Sequence, residues 1–381
     1  MDKKIQMVDL KGQYLRIKEE IDQALLSAVS ETAYINGPQV KTFIESLKSF
    51  NQVNHAVTCG NGTDALQIAM MALGFKPGGE VIVPAFTYIA TVEVIALLGL
   101  TPKFIDVQPD TFELDYEQLE ATITEKTVGI VPVHLFGQCS NMEAINAIAG
   151  KHDVAVIEDT AQAMGAEYIF ADGRKQFAGT VGTIGTTSFF PSKNLGCFGD
   201  GGALLTNDAE LAQRAHMIAN HGQRQKYHHE SIGVNSRLDT VQAAVLNVKI
   251  KYLSRYADAR RTVAQKYDIA LADIEGLTTP KQAPYSTHVY NQYTCQIADG
   301  RRDALKAFLQ ERGVPTMVYY PIPVHLQQAY RQYGYNEGDF PVSEQLCKNV
   351  LSLPIHTEME LETQDYIIEQ IKDFFAYGNN Q

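Results

Sequence analysis

The expected fold follows from TTSFFPSKNLGCFGDGGALLTN, residues 186–207. Its two ends, TTSFF and GALLTN, are short apolar runs bounded by turn residues, which is the pattern of buried strands. Pro191 ends the first run, and the glycine-rich loop that follows carries Lys193. The stretch therefore predicts a strand, a loop that presents a lysine, and a second strand.

Similar apolar runs recur upstream and alternate with helical patterns between about residues 55 and 210. This alternation is typical of a mostly parallel β-sheet covered by helices, so we expect an α/β domain with right-handed crossovers. The expected strands number seven and are HAVTC, EVIVP, KFIDV, VGIVPV, VAVIED, TTSFF and GALLTN.

The C-terminal third has a different pattern. A long amphipathic stretch over residues 237–273 predicts a helix that leaves the first domain. The segments HVYNQYTCQI, RRDALKAFLQERG and TMVYYP then predict a strand, a helix and a strand, as in a smaller α+β unit. We therefore divide the chain into a large domain, residues 33–250, and a small domain formed by an N-terminal helix in residues 1–32 together with residues 251–381.

Charge and composition exclude several classes of protein. The 381 residues include 32 basic and 44 acidic ones, and the net charge of −12 offers no general positive field for nucleic acid. No run approaches the roughly 18 apolar residues of a membrane span, and the first residues lack an apolar signal region, so we expect a soluble cytoplasmic protein. The five cysteines are widely spaced without a C-x-x-C pair, and no metal site is expected.

The segment GNGTDAL, residues 60–66, follows an expected strand and opens an expected helix. Backbone N–H groups and the helix dipole favour a phosphate at such a place. The segment also satisfies G-x-G-x-x-A, with Glu80 as an acidic residue downstream, so a dinucleotide site is an alternative. A third possibility is a plain turn in which Thr63 and Asp64 cap the helix.

Two further segments carry reactive side chains. VIEDTAQ delivers Glu158 and Asp159 to the end of a strand, where open α/β sheets bind ligands. Asp159 either caps the next helix or lies beside a bound cation, and Gln162, one turn further on, can face the same cavity. Lys193 lies among apolar and small residues that let a planar ligand approach, a setting in which lysine loses its proton and forms an imine.

Together the three segments supply what pyridoxal 5'-phosphate requires, namely a lysine, an acid for the pyridinium nitrogen and a phosphate cup. In these motifs, and from MVDLKGQY to SLPIH, the sequence resembles the nucleotide-sugar aminotransferases of fold type I, the DegT/DnrJ family. The resemblance implies an aspartate-aminotransferase-like fold and this cofactor.

The resemblance also implies residue roles. Lys193 would form the internal aldimine, Asp159 would keep N1 of the ring protonated, and Gln162 would contact the phenolic oxygen. The further cofactor contacts that it implies are Gly62, Thr63, Asp64 and Ser188 at the phosphate, Tyr88 stacked on the ring, and Asn235. Asn235 matches a residue that reaches the neighbouring subunit's cofactor, which implies a homodimer with shared active sites.

The reaction implied by the resemblance takes an amino group from L-glutamate and gives it to a ketone on a nucleotide-linked sugar, in two half-reactions. The substrate diphosphate requires local cations in a protein of charge −12. The basic segment HGQRQKYHH and the nearby Arg237 offer them. The expected substrate contacts are Arg237, His229, Tyr320 and His325, although His325 could instead cap the next helix.

The sequence is compatible with either of two nucleotide sugars as the substrate. NGTDALQIAMMALG, PAFTY, GQC, YHH, GVNSRLDT, GVPT and YPIP resemble the members that aminate UDP-2-acetamido-2-deoxy-3-ketohexuronic acid for surface polysaccharides. VHLQQAY resembles the branch that aminates dTDP-3-keto-6-deoxyhexoses, and Tyr319 replaces a histidine of the first group. Two other classes are alternatives: a nicotinamide-dependent sugar dehydrogenase built on the Gly60 loop, and a regulatory protein that binds pyridoxal phosphate without turnover.

Overall fold

The computed structural model describes residues 4–378. The strands are β1 His55–Cys59, β2 Glu80–Pro84, β3 Thr101–Ile105, β4 Thr127–Ile130, β5 Ala155–Asp159, β6 Glu167–Ile169, β7 Lys175–Phe177, β8 Ile184–Ser188, β9 Gly202–Thr206, β10 Gln223–Gln225, β11 His228–His229, β12 Leu277–Thr278, β13 Tyr293–Ile297 and β14 Val350–Leu353. The helices are α1 Leu10–Arg16, α2 Lys18–Ser30, α3 Pro38–Asn51, α4 Gly62–Ala72, α5 Ala90–Leu97, α6 Tyr116–Thr122, α7 Met142–Lys151, α8 Ala209–Ala219, α9 Thr240–Lys249, α10 Leu253–Leu271, α11 Arg302–Glu311, α12 Pro341–Asn349 and α13 Leu361–Gly378.

The main sheet has seven strands in the order β1-β9-β8-β5-β4-β2-β3. Strand β9 runs antiparallel to both of its neighbours, and the other pairings are parallel. All seven strands expected from the sequence are confirmed, and so is the mostly parallel α/β architecture. The carboxyl ends of β2, β5 and β8 therefore meet at one edge of the sheet, where ligands bind in such folds.

Both faces of this sheet are covered by helices. Along β2, Val81 and Val83 pack into the cluster that contains residues of α4 and α8. Ile82, on the opposite face, packs into the cluster formed with α6 and α7. Burial on both faces explains why the strands appear in the sequence as continuous apolar runs, and each fully buried Val or Ile contributes roughly 1.5–3 kcal/mol.

The C-terminal part contains an antiparallel sheet in the order β12-β13-β14, packed against α10, α11 and α13. The α+β prediction for this part is confirmed, but one strand is misplaced. TMVYYP forms no strand, because its aromatic side chains pack on the Phe86 and Phe136 cluster, and only Met317 pairs with Ser352. The predicted long helix begins at Thr240 and is divided by a short 3₁₀ turn, Ile250–Tyr252.

The N-terminal segment contacts both parts of the molecule. Ile21 of α2 packs with Val245 and Val248 of α9, whereas Ile5 belongs to the core of the C-terminal sheet. The division at residues 32 and 250 therefore stays a prediction. Within residues 4–378, none of the helices combines the length and apolar composition of a bilayer-spanning segment.

A carboxylate after β3 holds the start of α12. Asp106, which is 4% exposed, accepts hydrogen bonds from the N–H groups of Val342 (2.9 Å) and Ser343 (2.8 Å) and from the Ser343 hydroxyl (2.6 Å). These N–H groups belong to the first turn of α12, where the helix itself supplies no acceptor. Asp106 therefore fastens the C-terminal part to the edge of the main sheet.

We expect Asp106→Ala to lower the free energy of unfolding by about 2–3 kcal/mol, because it leaves buried donors without an acceptor. Urea unfolding followed by circular dichroism measures the change. Asp106→Asn keeps one acceptor oxygen and should cost less than the alanine variant. An alanine variant as stable as the parent would contradict the capping role.

Candidate active site

Asp159 ends β5 at the carboxyl edge of the sheet and is 5% exposed. Its Oδ2 accepts a hydrogen bond from the Thr91 hydroxyl at 2.8 Å, and its Oδ1 accepts one from the N–H of Ala161 at 3.1 Å. The carboxylate is therefore fixed in one orientation near the amine of Lys193, whose charged form it favours. Thr91 was missed by sequence reasoning, although it lies one turn after Tyr88 in PAFTYIAT.

Glu158, the other acidic residue at this strand end, faces away from Asp159, as alternation along a strand requires. It is fully buried and accepts hydrogen bonds from the N–H groups of Gly179 (2.9 Å) and Val181 (2.7 Å). His134 Nε2 lies 2.8 Å from the same carboxylate. Glu158 thus supports the loop before β8 and is not part of the site.

Lys193 lies in the loop after β8, where its backbone N–H donates to the Phe190 carbonyl at 2.9 Å. The residue is partly exposed, but protein atoms surround its amine. This burial lowers the pKa of Lys193 to about 8, although Asp159 opposes the change. About a tenth of the amine is then neutral at pH 7, as a nucleophilic lysine requires.

Helix α9 holds the loop that follows Lys193. Lys249, which is 3% exposed, donates from Nζ to the Gly196 carbonyl at 2.6 Å. Gln242 accepts from the N–H of Phe198 at 2.8 Å and donates to its carbonyl at 3.3 Å. Neither residue was predicted from the sequence, although a lysine within the apolar pattern TVQAAVLNVKI indicates a buried side chain that needs a polar partner.

The start of α4 lies against the end of β8. A Cβ atom at Gly62 would lie 2.6 Å from the Cβ of Ser188, so only glycine fits between them. Gly62 and Thr63 are the first residues of α4, and their N–H groups have no acceptor within the helix. Asp64 Oδ2 accepts from the Ser236 hydroxyl at 2.6 Å, which ties this turn to the segment before α9.

Phe86, Tyr88 and Tyr320 form an aromatic wall after the carboxyl end of β2. Tyr88 follows β2 and is 55% exposed, which is unusual for an aromatic side chain at a sheet edge. Its ring centre lies 6.0 Å from that of Tyr320, which also contacts Phe86 at 6.2 Å. The hydroxyl of Thr87 is buried and has no hydrogen-bond partner among the described residues. Tyr88 thus has an exposed ring, and the residue before it carries a buried hydroxyl without a partner among the described residues.

Gln162 links Asp159's loop to the aromatic wall. Its Oε1 accepts from the N–H of Phe136 at 2.7 Å, and its Nε2 donates to the Tyr320 hydroxyl at 3.0 Å. Like Asp159, it is 5% exposed. Burial, and also the charge of Asp159, raises the pKa of Tyr320, the partner of Gln162, so Asp159 and Gln162 both lie near one tyrosine. That they face one cavity stays a prediction.

The residues expected to bind substrate are placed differently from one another. Arg237 is partly buried, and its side chain has no polar partner within residues 4–378. Its backbone carbonyl lies 3.8 Å from the position that a Cβ atom on Gly60 would take. His229 is exposed on β11, where its Nδ1 lies 2.9 Å from the His221 carbonyl. Asn235 is also exposed. Arg237 is thus beside the predicted phosphate loop, whereas His229 and Asn235 face outward.

The structure does not bring His325 to the site. Its side chain is fully buried, lies 4.7 Å from the Phe340 ring between centres, and meets Glu344 Oε1 at 3.1 Å through Nε2. Burial lowers the pKa of His325, so the ring is a neutral packing residue here. A buried His325 paired with Glu344 does not fit the predicted contact with a sugar.

The donors and acceptors at this edge fit pyridoxal 5'-phosphate. A lysine with a lowered pKa lies near a buried carboxylate, and an exposed tyrosine ring offers a stacking face. The glycine-lined start of α4 can receive a phosphate, because backbone N–H groups and the helix dipole converge there. These are groups for a covalently bound, negatively charged, planar ligand.

Comparison with known proteins agrees with this geometry. The model of the DegT/DnrJ/EryC1/StrS aminotransferase family matches residues 15–372. A pleiotropic regulatory protein of Geobacillus stearothermophilus is 45% identical over 98% of this chain and 99% of its own length. The UDP-2-acetamido-2-deoxy-3-oxo-D-glucuronate aminotransferase of Pseudomonas aeruginosa is 45% identical over 93% of this chain and 96% of its own length.

A solved structure gives the same result. NtdA of Bacillus subtilis, with bound cofactor PMP, superposes with a TM-score of 0.85 at 30% identity, covering 93% of this chain and 82% of that one. These matches favour the aminotransferase prediction over the nicotinamide-dependent dehydrogenase. The chain therefore belongs to the DegT/DnrJ/EryC1/StrS aminotransferase family.

Proposed function

We propose that this aminotransferase uses pyridoxal 5'-phosphate to move an amino group from L-glutamate to the C3 ketone of a nucleotide-linked sugar. The observation that carries the proposal is Lys193, whose amine has a pKa lowered to about 8 by burial and lies near the fixed carboxylate of Asp159. When bound, the cofactor accepts an amino group from a donor and delivers it to a ketone.

The chain's own residues then have separate tasks. Lys193 is the nucleophile that holds the cofactor, and its released amine moves the proton at the reacting carbon. Asp159 keeps a proton on the ring nitrogen, because a buried carboxylate favours a positive charge beside it. Tyr88 supplies a stacking face, and the remaining proposed contacts are Gln162 at the phenolic oxygen and Gly62, Thr63, Asp64 and Ser188 around the phosphate.

We further propose UDP-2-acetamido-2-deoxy-3-ketohexuronate as the acceptor, for the synthesis of a surface polysaccharide. The relative from Pseudomonas aeruginosa is named for this kind of sugar. Arg237 supports the proposal, since its guanidinium has no polar partner among the described residues and could bind a carboxylate or diphosphate in a bidentate manner. His229 and Tyr320 complete the proposed substrate set.

A homodimer with shared sites is part of the proposal. Asn235 and His229 are exposed near the β10–β11 hairpin, where Tyr227 is 79% exposed and Ile232 87% exposed. Exposed apolar side chains of this size, next to outward-facing polar groups, are typical of an interface between subunits. In the dimer, Asn235 would reach the phosphate of the partner's cofactor.

A second function, a regulatory protein that binds the cofactor without turnover, is favoured by one observation, the name of the Geobacillus stearothermophilus relative. The geometry supports catalysis better, because a carboxylate held in one orientation beside the ring nitrogen serves amino transfer, whereas attachment of the cofactor needs only the lysine.

One experiment separates these possibilities. The protein is loaded with pyridoxal 5'-phosphate and L-glutamate until the visible band of the lysine-linked cofactor disappears. UDP-2-acetamido-2-deoxy-3-ketohexuronate and a dTDP-3-keto-6-deoxyhexose are then added separately. We expect the band to return with the UDP sugar alone. Return of the band with only the dTDP sugar would show that this sugar, and not the UDP sugar, is the substrate. A band that glutamate leaves unchanged would favour the regulatory function.

A further inference from the structure

Gln162 has its amide orientation fixed by the main chain. The N–H of Phe136 is a donor only, so the Gln162 atom that faces it at 2.7 Å must be the oxygen. The amide nitrogen therefore faces the Tyr320 hydroxyl, 3.0 Å away. One of its two hydrogens is used there, and the other is left for a further acceptor.

Tyr320 reaches Gln162 from a distant part of the chain, 158 residues further on. It lies in the segment between α11 and α12, and its ring packs against Phe86 and Tyr88. Burial raises the pKa of Tyr320 well above its usual value, so the hydroxyl keeps its proton at physiological pH. The Tyr320 oxygen is thus a neutral acceptor that ring packing holds in place.

We propose that Tyr320 is a positioning residue for Gln162: by accepting one amide hydrogen, it directs the other toward the phenolic oxygen of the cofactor. The inference rests on the proposed function, in which Gln162 contacts that oxygen. It adds a role for Tyr320 other than touching the sugar, and it connects the C-terminal segment to the electronic state of the cofactor.

The expected effect has a definite sign. A hydrogen bond donated to the phenolic oxygen disperses its negative charge, so the proton shared with the lysine nitrogen is held less tightly and its pKa falls. Without the Tyr320 hydroxyl, the Gln162 amide is held only through its oxygen, by the N–H of Phe136, so the amide nitrogen is aimed less closely and the donated bond weakens. The pKa of the lysine-linked cofactor should then rise by roughly 0.5 to 1 unit, which corresponds to one ordinary hydrogen bond.

The test is a pH titration of the visible absorbance of the cofactor-loaded protein, without either substrate. Tyr320→Phe, which removes only the oxygen, should raise the midpoint by that amount. The matched control is Tyr319→Phe, since Tyr319 is the adjacent, partly buried tyrosine and no hydrogen bond of its hydroxyl is found among the described residues. Its midpoint should equal that of the parent. Circular dichroism verifies that each variant is folded.

Gln162→Leu provides the reference, because it removes the donor itself and should shift the midpoint at least as far. If Gln162→Leu shifts the midpoint and Tyr320→Phe does not, the positioning role is overturned and the proposed function stands. If Gln162→Leu has no effect, the contact assigned to Gln162 in the proposed function fails, and the inference fails with it. Equal shifts for Tyr319→Phe and Tyr320→Phe would assign the effect to packing and overturn the inference.

Discussion

Lys193→Ala is expected to abolish turnover, with kcat lower by at least about 10⁴-fold, because it removes both the nucleophile and the group that moves the proton. The variant should still bind pyridoxal 5'-phosphate, since the start of α4, Ser188 and Tyr88 do not depend on the lysine side chain. Glutamate-dependent transamination measures the loss, and absorbance should show bound cofactor without the lysine-linked band.

Lys251→Ala is the matched control for this loss. Lys251 is an exposed lysine in the turn after α9, paired with Glu20 at 3.8 Å, and its removal should leave both kcat and the visible band unchanged. Appreciable transamination by Lys193→Ala would show that another group performs the chemistry.

The Lys193→Ala variant also tests whether the two subunits share their active sites. Asn235→Ala should weaken cofactor binding, and it is refolded together with Lys193→Ala to give mixed dimers. If Asn235 acts across the interface, one site of each mixed dimer carries both changes and the other carries none, so about a quarter of all sites regain activity under random assembly. If Asn235 acts within its own subunit, the mixture is no more active than the two variants measured separately.

Asp159→Asn is expected to leave the cofactor bound but to lower kcat by about 10²–10⁴-fold. The neutral amide cannot stabilise a positive charge on the ring nitrogen, so the ring withdraws electrons less effectively from the reacting carbon. Steady-state rates with glutamate and the UDP sugar measure the effect, and a fluorescence titration measures cofactor affinity.

Thr91→Val is the control for Asp159→Asn. It removes the hydroxyl that donates to Asp159 Oδ2 at 2.8 Å but keeps the carboxylate, so its rate should lie between those of the parent and the asparagine variant. Near-normal turnover by Asp159→Asn would mean that the carboxylate does not protonate the ring nitrogen.

Features set by local sequence were predictable. Asp159 ends a strand, and Gln162 and Lys193 follow strands, whose apolar runs are visible in the sequence. A strand end in a parallel sheet fixes which edge the next residues occupy. Gly62 follows the same rule at the start of α4. The seven strands, and the sheet edge at which Gly62, Asp159, Gln162 and Lys193 lie, were therefore predictable from patterns a few residues long.

Features set by distant contacts were not predictable. The hydrogen bond between Gln162 and Tyr320, and the one between Asp106 and Ser343, join residues 158 and 237 positions apart. TMVYYP resembles a strand, but only Met317 pairs with β14, because the tyrosines that follow pack against Phe86 and Phe136. His325 has a typical ligand side chain, and only the packing of Phe104 and Phe340 around it reveals its burial.

The antiparallel strand β9 has a consequence for the order of folding. Strand β1 pairs with β9 alone, and Cys59 pairs with Gly202. The first strand of the sheet therefore cannot pair until its partner, 143 residues further along the chain (202 − 59), has been synthesised. At the usual ribosomal rate of about 5–20 residues per second, the delay is roughly 7–30 s. During that time β1 and the start of α4 lack their neighbour, and such non-local pairing also slows folding. Because β8, the Lys193 loop and β9 are consecutive, the two halves of the proposed cofactor site become structured together, once the chain has been made to about residue 206.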